Sequence, residues 1–271
     1  MLTIYAPFSN PKSKAWEVFN GVKKTWPTKV FVADNSVEQS PDTPCMFWGL
    51  VNHNLDMIKY LKMYGKQDWW YTDAPYFGRF NNKNLKPDNH WWRISKNGIH
   101  VPLIEGCPSD RFKKFDVKIN DIRKKGEHIL ICPSSYNMQN CFGENNWHVN
   151  TMHELSQYTD RPLKWREKPR GRGTSGPSEA DVPLSEDLKN AWAVVTSVST
   201  VAVEAIAMGI PVFCHPSSFA APITNTNLAD IENPNWQDPT EWFNSLCYQQ
   251  FTPEEFDNGV AVKILQDLKI L

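Results

Sequence analysis

The sequence of 271 residues lacks any uninterrupted apolar run approaching the ~18 residues of a membrane-spanning helix. Its first residues, MLTIYAPFSNPKSKAWEVF, do not combine a basic start with a long apolar stretch, so no secretory signal is predicted. We therefore expect a protein that has no membrane partner and stays in the cytoplasm.

Metal and disulfide signals are also missing. The six cysteines are scattered without CxxC spacing, several of them within apolar runs, which is typical of buried thiols in a reducing compartment. The histidines show no metal-ligand spacing, and the sequence has no DxD motif, P-loop or nucleophile elbow. We therefore expect no metal requirement and no tightly bound cofactor.

An excess of positive charge is absent as well. Lys and Arg number 29 against 30 Asp and Glu, giving a net charge of -1. Without a global positive field, any contact with nucleic acid has to be local. Two basic stretches, residues 112–125 and 161–172, are the candidates for such a contact.

The chain does contain short apolar runs that alternate with helical patterns, which predicts an α/β protein. LTIYAP, KVFVAD, CMFWGL and HILICPSS read as strands, and KSKAWEVFNGVKKTW and NLDMIKYLKMYGK read as helices. HWWRISKNGIHVP predicts a hairpin with its turn at Asn97–Gly98.

The charged stretch PSDRFKKFDVKINDIRKKGE lacks a strong apolar pattern and is interpreted as the crossover between two halves. We predict an N-terminal domain over residues 1–110, a C-terminal domain over residues 127–245, and a helical tail over residues 246–271. The predicted architecture is a compact α/β chain with two Rossmann-like halves that face a cleft.

The segment AWAVVTSVSTVAVEAIAMGIPVFCHP, Ala191–Pro216, reads as strand, tight turn, helix, glycine stop and strand. Ser197 and Ser199 lie in the turn, and the helix begins near Thr200 and ends at Gly209. Free backbone N–H groups and a positive dipole end at such a helix start let a phosphate approach. Ligands of α/β folds bind at the carboxyl ends of parallel strands, where this turn lies.

Glu204 is the one carboxylate on this otherwise apolar helix, four residues after Thr200 and therefore on the same helix face. At that position it can accept hydrogen bonds from both hydroxyls of a ribose. The alternative is an ordinary exposed glutamate on a buried helix.

The stretch VVTSVSTVAVEAIAMGIPVF resembles the nucleotide-sugar site of GT-B glycosyltransferases, a likeness that covers residues 127 to about 215. The resemblance implies that Ser197, Ser199 and Thr200 hold the donor pyrophosphate and that Glu204 holds the ribose. It also implies a nucleotide-sugar donor, with a UDP-sugar expected. Epimerases and lipid-linked capsule transferases share the motif.

Two further groups of residues match the donor side of that family. Ser134 and Ser135 end the first strand of the second half, where GT-B enzymes often place donor-phosphate ligands. In PLKWREKPRGR, alternation puts Lys164, Arg166 and Lys168 on one strand face, where Arg166 and Lys168 can neutralise a diphosphate leaving group. A solvated strand edge is the alternative.

In the first half, the aromatic strand DWWYTDAPYF ends in Thr72–Asp73. It resembles a strand of the DNA β-glucosyltransferases of T-even phages that ends in the catalytic aspartate. The resemblance implies that Asp73 is the general base of an inverting transfer. The alternative is an aspartate that caps a loop, and Asp68 is interpreted as the start of the strand.

Arg79, His90 and Arg93 lie near Asp73 in sequence and are the predicted acceptor-binding residues. His90 has an equally good structural interpretation.

The function predicted is transfer of a sugar from a nucleotide donor, with hydroxymethylated pyrimidines of DNA as the first candidate acceptor. A surface or capsule glycan is the second candidate acceptor. A nucleotide-sugar or carbohydrate-binding module without catalysis is the non-enzyme alternative, and Asp73 discriminates between the two classes.

Overall fold

The computed structural model describes residues 1–7, 9–10, 13–32, 43–51, 54–77, 91–143, 146–167 and 182–270. The chain divides into unit 1, Met1–Phe115 with Phe243–Leu271, and unit 2, Asp116–Trp242. The crossover residues 116–126 belong to unit 2, and the C-terminal stretch belongs to unit 1.

Within the described residues, unit 1 contains a six-stranded sheet in the order β10-β5-β4-β3-β1-β2. The strands are β1 (Leu2–Ala6), β2 (Thr28–Val32), β3 (Cys45–Trp48), β4 (Trp69–Asp73), β5 (Trp92–Lys96) and β10 (Gln250–Phe251). The first four pair in parallel, whereas β5 and β10 run antiparallel to their neighbours. The carboxyl ends of the parallel strands therefore share one edge.

The helices of this part of the chain are α1 (Ala15–Thr25), α2 (Asn54–Tyr64), α7 (Thr240–Cys247), α8 (Pro253–Asp257) and α9 (Val260–Asp267), with α7 spanning the boundary between the units. One apolar cluster joins α1, α8 and α9 to the sheet and includes the fully buried Phe19, Phe251 and Phe256. Burial of such aromatic side chains stabilises this unit.

The hairpin predicted at Asn97–Gly98 is wrong, whereas the C-terminal tail contains the helices α8 and α9, as its helical prediction requires. Asn97 adopts a left-handed φ of 54°, but no strand follows it within residues 97–115. β5 pairs instead with β4 and β10. The tail expected to be helical also contains strand β10, which no local pattern marks because it is two residues long.

Unit 2 contains a four-stranded parallel sheet in the order β7-β6-β8-β9. Its strands are β6 (His128–Cys132), β7 (Leu163–Trp165), β8 (Ala191–Thr196) and β9 (Val212–Cys214). Its helices are α3 (Tyr136–Phe142), α4 (Trp147–Leu155), α5 (Leu184–Leu188) and α6 (Val201–Ala207). The chain visits β7 before crossing to β8, so the order reverses beside β6, the kind of point where α/β sheets bind ligands.

One face of this sheet carries a buried apolar cluster that includes Ile131, Val195 and Phe213, and Leu155 of α4 belongs to it. Side chains alternate along a strand, so the neighbouring Cys132, Thr196 and Cys214 belong to the other face. The α/β class with two Rossmann-like halves, the GT-B-like class predicted from the sequence, is confirmed by the two sheets. A cleft between the halves stays a prediction.

In the part of the chain that the structure describes, no helix combines the length and the apolar composition needed to cross a bilayer. All six cysteines lie in that part, all are buried, and no disulfide joins them. Among the same residues, no group of three or more His, Cys, Asp or Glu side chains is arranged to hold a metal ion.

Gly209 ends α6 as the sequence predicted, with a left-handed φ of +73°. Residues 120–123 run along this helix end, since Asn120 N–H donates to Ala207 O at 2.9 Å and Arg123 N–H donates to Gly209 O at 2.7 Å. A Cβ at position 209 would lie 2.0 Å from the carbonyl oxygen of Asp121. Both the conformation and the close approach therefore require glycine.

We predict that Gly209→Ala lowers the free energy of unfolding by about 3 kcal/mol, because left-handed strain and a backbone clash add together. Gly143→Ala is the matched control, since Gly143 also follows a helix and has a φ of +72°, but a Cβ added to it would meet nothing within 4 Å. It should cost about 1 kcal/mol. Urea unfolding measures both values, and equal costs would contradict the close approach at Asp121.

Candidate functional site

The loops after β6 and β8 are tied together at the carboxyl edge of the sheet of unit 2. Val198 N–H donates to Ser134 Oγ at 3.1 Å, and Thr196 Oγ1 donates to Cys132 O at 2.6 Å. Ser134, Thr196 and Ser197 are all buried. The hydroxyl of Ser134 therefore fixes the neighbouring turn, and Ser197 lies inside that turn.

The start of α6 is more accessible than the turn before it. Ser199 and Thr200 are half-buried, and Ser199 Oγ accepts a hydrogen bond from Val201 N–H at 3.4 Å. No hydrogen bond within the described residues uses the amides of Ser199 and Thr200. Two adjacent amides at the carboxyl edge of a parallel sheet are suited to bind an anion such as a phosphate.

Glu204 is exposed, whereas Val203 and Ala205 on either side of it are buried. Burial raises the pKa of the Cys132 thiol to about 12, and the negative charge of Glu204 contributes in the same direction. The charge of Glu204 therefore reaches Cys132 at the end of β6. Exposure of Glu204 fits both an ordinary surface glutamate and a ribose ligand, so its ribose-binding role stays a prediction.

Arg166, at the end of β7, is not an exposed cation. Its side chain is one-tenth exposed, its Nη1 forms an ion pair with Asp187, and its Nη2 donates to Val182 O at 3.0 Å. Lys164 also pairs with Asp187, so the two cations share a strand face as alternation predicted. The carboxylate of Asp187 therefore neutralises much of the positive charge that was predicted to bind a diphosphate.

Ser135, the other predicted phosphate ligand, is half-buried and is the N-cap residue of α3, without a side-chain cap hydrogen bond. Its carbonyl oxygen accepts from Gln139 N–H at 2.9 Å. Lys168 lies outside the described residues.

In unit 1, Asp73 ends β4 and is held by three groups. Tyr71 Oη donates to Asp73 Oδ2 at 2.5 Å, and Ala74 N–H donates to Oδ1 at 2.7 Å. Arg93 Nη2 lies 3.6 Å from Oδ2. The Asp73 side chain remains 29% exposed, so an oriented carboxylate is presented to solvent.

Arg93, which the sequence placed among acceptor-binding residues, is 3% exposed. Its Nη1 donates to Tyr76 Oη at 3.1 Å and lies 2.9 Å from His100 Nδ1, which must accept because a guanidinium only donates. The guanidinium also lies over the rings of Tyr71 and Tyr76. A buried Arg93 with these partners orients Asp73 and is not available to contact an acceptor.

The electrostatics keep the two phenols of this cluster protonated. Burial raises the pKa of Tyr71 well above its ordinary value, and the charge of Asp73 raises it further. Burial likewise raises the pKa of Tyr76. Burial lowers the pKa of Arg93, but the oxygens of Tyr76 and Asp73 outweigh this and leave it above its ordinary value. Both phenols therefore stay protonated, and Tyr71 remains a donor to Asp73.

Arg79 and His90 lie outside the described residues. Sequence reasoning missed Tyr71 and His100 as members of the Asp73 cluster. Tyr71 had a usable signal, because residues two apart on a strand share a face. His100 had none, since its contact with Arg93 depends on the path of the chain after β5.

No family model and no curated protein matches the sequence. Among solved structures, the chain is similar to Thermosulfurimonas dismutans KpsC, a beta Kdo 2,7 transferase, at 10% sequence identity and a TM-score of 0.48. The match covers 97% of this chain and 99% of that chain. A likeness at this level carries no argument about function, so the site stands on its own geometry.

The ion pairs of Asp187 should make the free energy of unfolding depend on pH. Burial raises the pKa of Asp187, but hydrogen bonds from Lys164 and Arg166 outweigh it, so the pKa lies below its ordinary value of 3.8. A depressed pKa means that the stabilisation is present above that value and is lost as the pH falls through the folded-state pKa. Asp187→Asn should therefore lower the free energy of unfolding by about 3 kcal/mol at pH 7.

Urea unfolding at pH 7 and at acidic pH measures this effect. The difference in the free energy of unfolding between Asp187→Asn and the unmodified protein should become smaller in acid. The exposed Asp160 provides the matched control, and Asp160→Asn should change little at either pH. A gap that stays constant from neutral to acidic pH would show that the ion pairs are not the source of the stabilisation.

Proposed function

We propose that this chain is a nucleotide-sugar-dependent glycosyltransferase. The observation that carries the proposal is the exposed Glu204 one turn into α6, beside the unpaired amides of Ser199 and Thr200 at the carboxyl edge of a parallel sheet. Backbone amides and a helix start suit the donor diphosphate, and a carboxylate suits the ribose hydroxyls. The donor is proposed to be a UDP-sugar that binds without a metal.

Asp73 is proposed as the general base. The acceptor hydroxyl oxygen would attack C1 of the donor sugar, the bond from C1 to the diphosphate oxygen would break, and the hydroxyl proton would pass to Asp73. The hydrogen bonds from Tyr71 and Ala74 support this role, because they orient a carboxylate that is partly exposed. Attack from the side opposite the leaving diphosphate would invert the configuration at C1.

The proposed acceptor is a hydroxymethylated pyrimidine in DNA, which the enzyme would have to flip out of a duplex. Residues 112–125 support a DNA acceptor, because their exposed lysine side chains can contact a phosphate backbone. These are Lys113, Lys114, Lys118, Lys124 and Lys125.

A surface or capsule glycan is the second proposed acceptor, and the ion pairs of the second basic stretch favour it. Arg161 pairs with Glu232, and Lys164 and Arg166 pair with Asp187. The described part of the second basic stretch is therefore largely neutralised, which weakens the case for a DNA track there. A carbohydrate acceptor needs no such track.

We predict that Glu204→Ala weakens UDP-sugar binding by about 1.5–3 kcal/mol, the range for hydrogen bonds to a charged group. Titration calorimetry measures the affinity, and thermal unfolding checks the fold, which should survive because the side chain is exposed. Glu186→Ala removes another exposed glutamate of unit 2 and serves as the control. Unchanged affinity with a lowered melting temperature would assign Glu204 a structural role.

We also predict that Asp73→Asn binds donor normally but slows transfer by about 10²–10⁴-fold, the usual contribution of a positioned general base. The assay follows label from UDP-glucose and related donors to DNA containing 5-hydroxymethylcytosine or 5-hydroxymethyluracil, and to a glycan pool. Asp68→Asn is the matched control, since Asp68 directly precedes β4, at the end opposite Asp73, and pairs with Lys96.

Label in the modified DNA would identify a DNA acceptor, and label in the glycan pool would identify a glycan acceptor. Equal rates for Asp73→Asn and the unmodified protein would place the base elsewhere. If no donor is consumed with any acceptor while UDP-sugar still binds, the chain is a binding module and the enzyme proposal fails.

A further inference from the structure

Unit 2 contains a cavity of about 590 Å³ at the carboxyl ends of β8 and β9. This volume is within the range of small-molecule sites in proteins, and the edge is one where α/β folds bind ligands. Ser199, Thr200 and Glu204 do not line it. The cavity is therefore separate from the residues proposed to bind the donor.

One wall of the cavity is a single face of α4. Trp147, Asn150, Thr151 and Glu154 line it, and their spacing of three, four and seven residues places them on the same side of the helix. Trp147 is half-buried and packs against the apolar cluster of the sheet. Asn150 and Glu154 are exposed and supply an amide and a carboxylate.

The opposite wall combines the ends of the strands with the loop that follows them. The buried Phe213 and the partly buried Leu228 contribute apolar surface. His215 Nδ1 accepts a hydrogen bond from Ser217 N–H at 3.1 Å, so its neutral ring carries the proton on Nε2. The cavity thus offers hydrogen-bond donors and acceptors around an apolar floor.

The charge of the lining decides what class of ligand fits. Among the described residues that line the cavity there is no Lys or Arg, and Glu154 is acidic. A phosphate or carboxylate would meet no positive partner and would be repelled by Glu154. An uncharged ring with several hydroxyls fits the amide, carboxylate and aromatic groups together, since each hydroxyl both donates and accepts.

We propose that this cavity binds a neutral sugar ring, as a pyranoside of a glycan or as the sugar of an uncharged nucleoside. The assignment deepens the proposed transferase function, on which its biological meaning rests, because either ring would belong to an acceptor. Trp147 provides the apolar surface for the ring, and Asn150 and Glu154 bind its hydroxyls.

The test uses the full chain and four probes: methyl β-D-glucopyranoside, 5-hydroxymethyl-2′-deoxycytidine, UMP and inorganic phosphate. Ligand-observed NMR and calorimetry should show that at least one neutral probe binds. Asn150→Ala and Glu154→Gln should each weaken that binding by about 10-fold or more. The neutral probe that binds distinguishes a glycan from a nucleoside source.

His153→Ala is the matched control, because His153 is exposed on α4 but does not line the cavity. This variant should leave the affinity for the neutral probe unchanged. If neither neutral probe binds, or if all variants bind equally, the cavity proposal is overturned. Tighter binding of UMP or phosphate in competition with the neutral probe would overturn the assignment to an uncharged ligand.

These outcomes are independent of the proposed transferase function. Neutral-probe binding that depends on Asn150 and Glu154, without any binding of UDP-sugars, would support the cavity and overturn the donor site. Binding of UDP-sugars that depends on Glu204, without any neutral-probe binding, would support the donor site and overturn the cavity proposal.

Discussion

The buried guanidinium of Arg111 fastens the end of the chain to unit 1, and much of that unit depends on it. Arg111 donates to the carbonyl oxygens of Cys247 and Gln250, at 2.8 Å each, and pairs with Glu255 at 2.7 Å. A buried charge is tolerated only when its partners replace the lost water, and here three separate groups do so. Since all three lie in residues 247–255, one side chain fixes the position of the whole returning segment.

The effect of this anchor extends to the proposed base. Gln250 pairs with Arg93 in the sheet, and its Oε1 accepts from the amides of Tyr76 and Phe77 at 2.9 and 3.1 Å. Those amides belong to the loop that follows Asp73. The C-terminal segment therefore holds both the cation beside the carboxylate and the loop next to it. Orientation of Asp73 is a property of the completed sheet rather than of strand β4 alone.

Local sequence patterns were enough to predict the elements of residues 191–216, but not the contacts between residues that are far apart in the chain. The strand, turn, helix and strand of residues 191–216 could be read from the sequence because apolar runs, hydroxyl residues and Gly209 act over a few positions. The pairing of Arg166 with Asp187 and the return of Gln250 to β5 could not be read, because they join residues far apart in the chain. Long-range contacts of this kind have no sequence period, so the sequence could not show that Lys164 and Arg166 are paired with Asp187.

Neutralisation of Arg166 has a consequence for how a diphosphate could be stabilised in unit 2. With Arg166 bound to Asp187, the described groups at this carboxyl edge that could contact a diphosphate include the amides of Ser199 and Thr200, the half-buried Ser135 and the positive end of α6. Fixed amide dipoles stabilise developing charge without reorganisation, but they do so for any diphosphate. They cannot by themselves select one sugar or one acceptor. In the proposed transferase, discrimination would have to come from side chains that contact the uncharged parts of the substrates, and the polar and aromatic side chains of the cavity beside Trp147 are proposed for this role.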